Sequence, residues 1–126
     1  MKKLLLITLL CFCVNAYAFN WAKVTESEDR NSYYVDIDNI RKHNNLVYYW
    51  TLVDYKKPFN NKHFSEIAKY KVDCGEQKKT LLSITAYSQP MGENRISDET
   101  IFNDIAYPKP GSVGYGLMMF ACDNAK

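Results

Sequence analysis

Leu46-Val47-Tyr48-Tyr49-Trp50-Thr51-Leu52-Val53-Asp54-Tyr55 reads as the strongest strand in the sequence. Three tyrosines, a tryptophan, two valines and a threonine are all residues that suit a pleated, half-buried surface. The run is apolar on both alternations until Asp54, which predicts a central strand with neighbours on each side. Phe64 to Cys74 alternates more clearly, with Phe64, Ala68, Tyr70, Val72 and Cys74 assigned to the core and Ser65, Lys69, Lys71 and Asp73 to the outside. Lys78 to Gln89 is the next strand, with Leu82, Ile84 and Ala86 on its inner face.

Upstream, Trp21 to Thr25 and Ser32 to Asp36 are short strands on either side of a charged turn. Asp38 to Lys42 reads as one helical turn capped by the Asp38 carboxylate. His43-Asn44-Asn45 is a turn, because asparagine tolerates a left-handed backbone. Lys56 to Lys62 is a loop, and Pro90 to Ile105 a polar excursion with weak structure. Two prolines keep Ala106 to Gly111 extended. Ser112 is the N-cap of a short helix over Val113 to Cys122. Short turns and the lack of a βαβ rhythm predict an α+β domain: one antiparallel sheet of five to six strands, with the C-terminal helix packed on one face.

The first 18 residues have the character of an export signal. Lys2 and Lys3 give a positive start, Leu4 to Val14 run apolar but for Thr8, and Ala16-Tyr17-Ala18 supplies the small residues of a cleavage site between Ala18 and Phe19. The apolar run is far shorter than the roughly 20 residues that cross a bilayer. The full chain has 16 basic and 14 acidic residues. Removing the two leader lysines makes the domain formally neutral, which gives no net pull toward nucleic acid. Neither Cys11 nor Cys13 follows a small residue, so no lipid attachment is expected; periplasmic or secreted localisation is.

Two cysteines then remain, Cys74 and Cys122. In an oxidising compartment one pair reads as one disulfide, with two free thiols as the alternative. Such a bond would staple the end of a strand to the end of the helix.

Chemistry is sparse. His43 and His63 lie in polar turns, and no nucleophile elbow is present. Asp36 and Asp38 lack the further oxygen ligands and the glycine of a calcium loop. The glycine run 111–116 lacks the lysine of a phosphate loop. No cofactor or metal is therefore expected, and no enzymatic activity. Aromatic content is more informative: nine Tyr, five Phe and two Trp follow residue 18. With Trp50 and Leu52 assigned to the helix side, Tyr49, Thr51 and Tyr55 point away, joined by Lys69, Lys71, Thr85 and Tyr87. That predicts an open tyrosine-rich face suited to a protein partner, or to homodimerisation through the same surface.

The segments Tyr33 to Lys42 and Leu46 to Pro58, the strand from Ser65 to Cys74, Tyr87-Ser88-Gln89-Pro90-Met91-Gly92, and Pro110-Gly111-Ser112 leading to Cys122 together resemble the surface-adhesin protein E family. The likeness runs from about Trp21 to Cys122. It implies a small exported bacterial domain, an antiparallel sheet with a disulfide-stapled C-terminal helix, and partners among host matrix and plasma proteins or envelope proteins. A periplasmic carrier or sensor, holding a small apolar ligand between sheet and helix near Met118, Met119 and Phe120, is the alternative reading.

Overall fold

The computed structural model describes residues 18–126; the leader through residue 17, with Cys11 and Cys13, lies outside the described residues. Eight antiparallel strands form one sheet: β1 (Trp21–Glu26), β2 (Ser32–Asp36), β3 (Arg41–His43), β4 (Leu46–Phe59), β5 (His63–Asp73), β6 (Lys78–Gln89), β7 (Glu93–Arg95) and β8 (Thr100–Ala106). Among the described residues one α-helix, α1 (Val113–Asp123), closes the fold. The main path is β1-β2-β4-β5-β6-β7, with β3 paired to β4 and β8 to β6.

The sheet thus has more strands than the five to six expected. The difference lies mostly in the supposed polar excursion. β6 is 12 residues long, and its outer edge accommodates both β7 and β8. Pro90–Gly92, between β6 and β7, is a 3-10 turn. It folds back onto the sheet: the Ser65 hydroxyl donates to the Gln89 carbonyl at 2.6 Å and accepts from the Gly92 N–H at 2.9 Å. Gly92 has φ +71°, and a Cβ there would lie 2.8 Å from the Ile67 Cδ1 atom, so only glycine fits this approach.

The turns follow side-chain chemistry. Asn44 and Asn45 both have positive φ and join β3 to β4 in a two-residue hairpin loop. Asn60 and Asn61 also have positive φ, in the three-residue loop between Phe59 and His63 at the β4–β5 tip. Here β4 continues to Phe59, so Lys56 to Phe59 is strand rather than loop. The helical turn expected over 38–42 lies at Ile37–Asn39, and its cap is Asp36, not Asp38. Arg41 and Lys42 instead enter β3. Ser112 does cap α1, accepting from the Tyr115 N–H at 3.2 Å.

The core lies between α1 and one end of the sheet. Val35, Ile40, Val47, Tyr49 and Val72 meet Leu117, Met118 and Ala121. The helix packs chiefly on β1, β2 and β4. Cys74 and Cys122 form a disulfide with a Cα–Cα distance of 6.0 Å and a sequence separation of 48. In the chain-entropy description a bond closing such a loop stabilises by about 4 kcal/mol. Tyr49 is 1% exposed and stacks on Tyr70 at 5.4 Å. Among the described residues its buried hydroxyl has no hydrogen-bond partner. Burial pushes the Tyr49 phenol far above its ordinary value of 10.0, and burial does the same to Tyr70.

Two tests address this core. Cys122→Ser, or reduction of the wild type, should lower the denaturant midpoint by an amount equivalent to about 4 kcal/mol. A midpoint unchanged by reductant would contradict the staple. Tyr49→Phe deletes the unpaired hydroxyl and should raise stability by about 1 kcal/mol. The raised phenol values contribute stability that is complete below pH 10.0 and lost as pH climbs above it. Tyr49→Phe should therefore also blunt the alkaline loss of stability, read from melting curves on either side of that pH.

Candidate functional site

Residues opposite one another in an antiparallel pair share a face, so the register decides what the sheet presents. Val47 pairs with Val72, Tyr49 with Tyr70 and Thr51 with Ala68. These belong to the helix side, together with Ile84 opposite Ala68. Trp50 pairs with Lys69, Leu52 with Ile67, and Tyr48 with Lys71. Ser83, Thr85 and Tyr87 extend that second set across β6.

The expected face therefore divides. Lys69, Lys71, Thr85 and Tyr87 do lie together on the side away from α1. Tyr49 and Thr51 do not: both are buried on the helix side. Tyr55 is half-buried and donates its hydroxyl to Glu66 Oε1 at 3.0 Å, on the same side as Tyr49. Trp50 and Leu52, assigned inward from sequence, face the other way. β4 runs in unbroken register with β5 from Val47 to Asp54. Val72 and Tyr70 pack toward α1, so their partners Val47 and Tyr49 do too, and Trp50 and Leu52 take the other face.

What stands on the open face is richer in aromatic rings than the sequence reading allowed. Phe19 stacks on Trp21 at 4.7 Å and meets Trp50 edge-on at 6.0 Å. The Lys69 ammonium sits over the Trp50 ring at 5.2 Å, a cation–π contact. Beyond it, Lys71 lines a shallow groove of about 280 Å³ with Leu46, Thr80, Asn103 and Ile105. Ile101 and Ile105 of β8 pair with Ser83 and Thr80 and are 73% and 54% exposed. The far end of the same face is covered by the Pro90–Gly92 turn over Leu52 and Ile67.

Phe19 is held in place by a buried carboxylate. Asp36 is fully buried. Its oxygens accept from the Asn20 N–H at 3.1 Å, the Asp38 N–H at 3.3 Å and the Asn39 Nδ2 at 2.6 Å. Ile37 N–H returns a bond to the Asn20 carbonyl at 3.0 Å. Asp36 is thus a clamp for the chain just after residue 18, with N–H donors where a cation ligand would need free oxygens. Neither Phe19, Trp21 nor Trp50 was singled out as a surface residue from sequence. The signal that could have found them is Cys74: once it must face α1, Val72 and Tyr70 follow, and the pairing partner of each fixes β4.

The histidines are placed differently from one another. His43 is exposed in β3. His63 opens β5, and its Nε2 lies 2.7 Å from Glu66 Oε2. Its other neighbours are the rings of Tyr55 and Phe59. Met118 is wholly buried in the core, with Met119 and Phe120 packed against it. Among the described residues no group of three metal-capable side chains gathers, and no helix is long and apolar enough to cross a membrane.

A family described as surface-adhesin protein E matches residues 21–123. The chain belongs to that family. Membership implies an exported or surface protein. Solved structures of Haemophilus influenzae protein E share the fold. One crystal form gives a TM-score of 0.69 at 15% identity, covering 86% of this chain and 91% of that one. A selenomethionine form gives 0.65 at 16% identity, covering 87% and 94%. A structure from a non-typeable Haemophilus influenzae gives 0.58 at 13% identity, covering 87% and 79%. No curated protein sequence matches the chain. Protein E and this family member therefore have a common architecture, in which the disulfide-linked helix covers part of one sheet face here.

The clamp gives a direct test. Asp36→Ala leaves three N–H donors without their carboxylate and should lower stability by about 2–3 kcal/mol. Amide hydrogen exchange should show protection lost at Asn20 and Asp38 first. Unchanged protection there would mean that Asp36 does not hold the start of the domain.

Proposed function

We propose that this member of the surface-adhesin protein E family is a non-catalytic, exported protein-binding module that meets its partner with the sheet face away from α1. The observation that carries the reading is the cluster of Trp50, Trp21 and Phe19 next to Lys69, with Lys71 two residues on along the same face of β5. Tryptophan anchors with neighbouring cations are what contact energy concentrates in at protein interfaces. Tyr87 and Thr85 extend the surface across β6. The expected leader, with cleavage between Ala18 and Phe19, is part of this reading. So is a host matrix or plasma protein, or an envelope protein, as partner. Export would leave Phe19 at the start of the mature chain, where the Asp36 clamp holds the next residue. The homodimer remains a second use of the same face, supported by the exposed Ile101 and Ile105 at its rim. The ligand carrier has less support, because Met118 belongs to the packed core.

The test is binding of the purified protein to a panel of immobilised matrix and plasma proteins. Wild type should bind at least one of them saturably. Trp50→Ala and the Lys69→Glu/Lys71→Glu pair should each weaken it by about tenfold or more, in variants that keep the circular dichroism of the wild type. Thr85→Lys/Tyr87→Ala should weaken it less, being nearer the rim. Equal binding by all variants would refute the face; no binding to any member of the panel would refute a host matrix or plasma protein as partner. Sedimentation of the same variants reads the dimer separately.

A further inference from the structure

The helix leaves the β4–β5 tip of its own face uncovered, and a second, chemically different site lies there. A groove of about 600 Å³ runs between the β1–β2 turn and the end of β4. Four ring-bearing residues line it, Tyr33, Tyr55, Pro58 and Phe59. The rings are held before any ligand arrives. Phe59, 45% exposed, stacks on Tyr55 at 5.3 Å and leans on His63 at 5.2 Å. Glu66 fixes Tyr55 and His63 from below, one carboxylate oxygen to each. The Lys56 N–H donates to Asn31 Oδ1 at 2.9 Å and ties the β1–β2 turn to β4.

The polar part of the lining is mostly donors. Asn31 has spent its oxygen on Lys56, so its amide NH₂ is what it offers. Lys56 and Lys57 bring ammonium groups, and Tyr33 a phenol. Asp29 is the carboxylate of the set. A proline-rich chain complements such a lining. Proline has no N–H, so it presents carbonyl acceptors and apolar rings only. It is also extended in advance, and aromatic grooves recognise it in that form. The two lysines add attraction for an acidic residue beside the prolines.

We propose that this groove binds a proline-rich, extended peptide segment carrying an acidic residue at its flank. The site shares no named residue with the opposite face and stands or falls independently of the partner proposed there.

The probes are acetylated decaproline, the same peptide ending in two glutamates, and a glycine-serine peptide of the same length and charge. Each is titrated into the purified, disulfide-bonded protein and followed by amide and aromatic NMR shifts. Both proline peptides should give saturable shifts centred on Tyr33, Tyr55 and Phe59, with the acidic one the tighter. Phe59→Ala and Tyr33→Ala should each weaken binding by about tenfold. Lys56→Glu/Lys57→Glu should abolish the advantage of the acidic peptide while leaving plain decaproline nearly unchanged. Phe59 and both lysines are surface groups, so a variant that fails to fold leaves the others to decide. Trp50→Ala should bind the peptides as wild type does. Lack of saturable shifts, shifts centred elsewhere, equal binding of the glycine-serine peptide, or preferential binding of a sulfated polysaccharide added as a fourth probe would each overturn the proposal.

Discussion

One helix of 11 residues has to cover a sheet of eight strands, and it can cover only part of one face. Every other feature of the molecule answers that shortage. The helix is pressed over β1, β2 and β4 and bonded through Cys122 to the residue just after β5. A domain of this size buries a modest fraction of its surface, so a covalent staple at the helix end offsets part of the chain entropy that packing alone would have to overcome. Where no helix reaches, the strands carry residues with a broad apolar body and a polar tip. Tyr48, Tyr55, Trp50 and Tyr87 are stable half-buried, as leucines at those positions would not be.

The local cover is equally economical. Pro90–Gly92 turns back over Leu52 and Ile67, and the bonds to Ser65 and Asp54 that hold it use its own backbone N–H groups. The start of the domain is anchored by Asp36 in a like manner. A buried carboxylate is tolerable here because several N–H donors converge on it. In both places a polar side chain from a central strand captures peripheral backbone, which lets a single sheet hold its edges without a second layer.

Most of this was legible in the residues. The positions of β1, β2, β5 and β6 and the body of β4, the Asn44-Asn45 turn, the Ser112 cap and the Cys74–Cys122 pair each follow from chemistry acting within a few residues, or from elimination among few cysteines. Two things were not. β4 is apolar on both alternations, so its sequence carries no period to say which set faces the helix; its pairing with β5, which sets Val47 and Tyr49 opposite Val72 and Tyr70, settles it. The segment 93–106 reads as polar because its strands lie at a sheet edge and are exposed on most sides. An edge strand has little need of hydrophobic alternation, so its existence depends on β6 being long enough to pair it.

The alternation of β4 has a consequence for what the molecule can hold at once. Trp50 and Tyr55 come from the same strand but project from opposite faces, the first beside Lys69 and the second beside Glu66. The strand between them has both neighbours hydrogen-bonded along most of its length, so it is a rigid partition. A flat aromatic-and-lysine surface and a donor-rich groove therefore sit back to back, each with its own chemistry and neither in the other's way. At 15% identity the fold shared with Haemophilus influenzae protein E says nothing of which side chains decorate it. The anchors on the two faces belong to this chain, and the register of a single strand is what puts each where a partner could reach it.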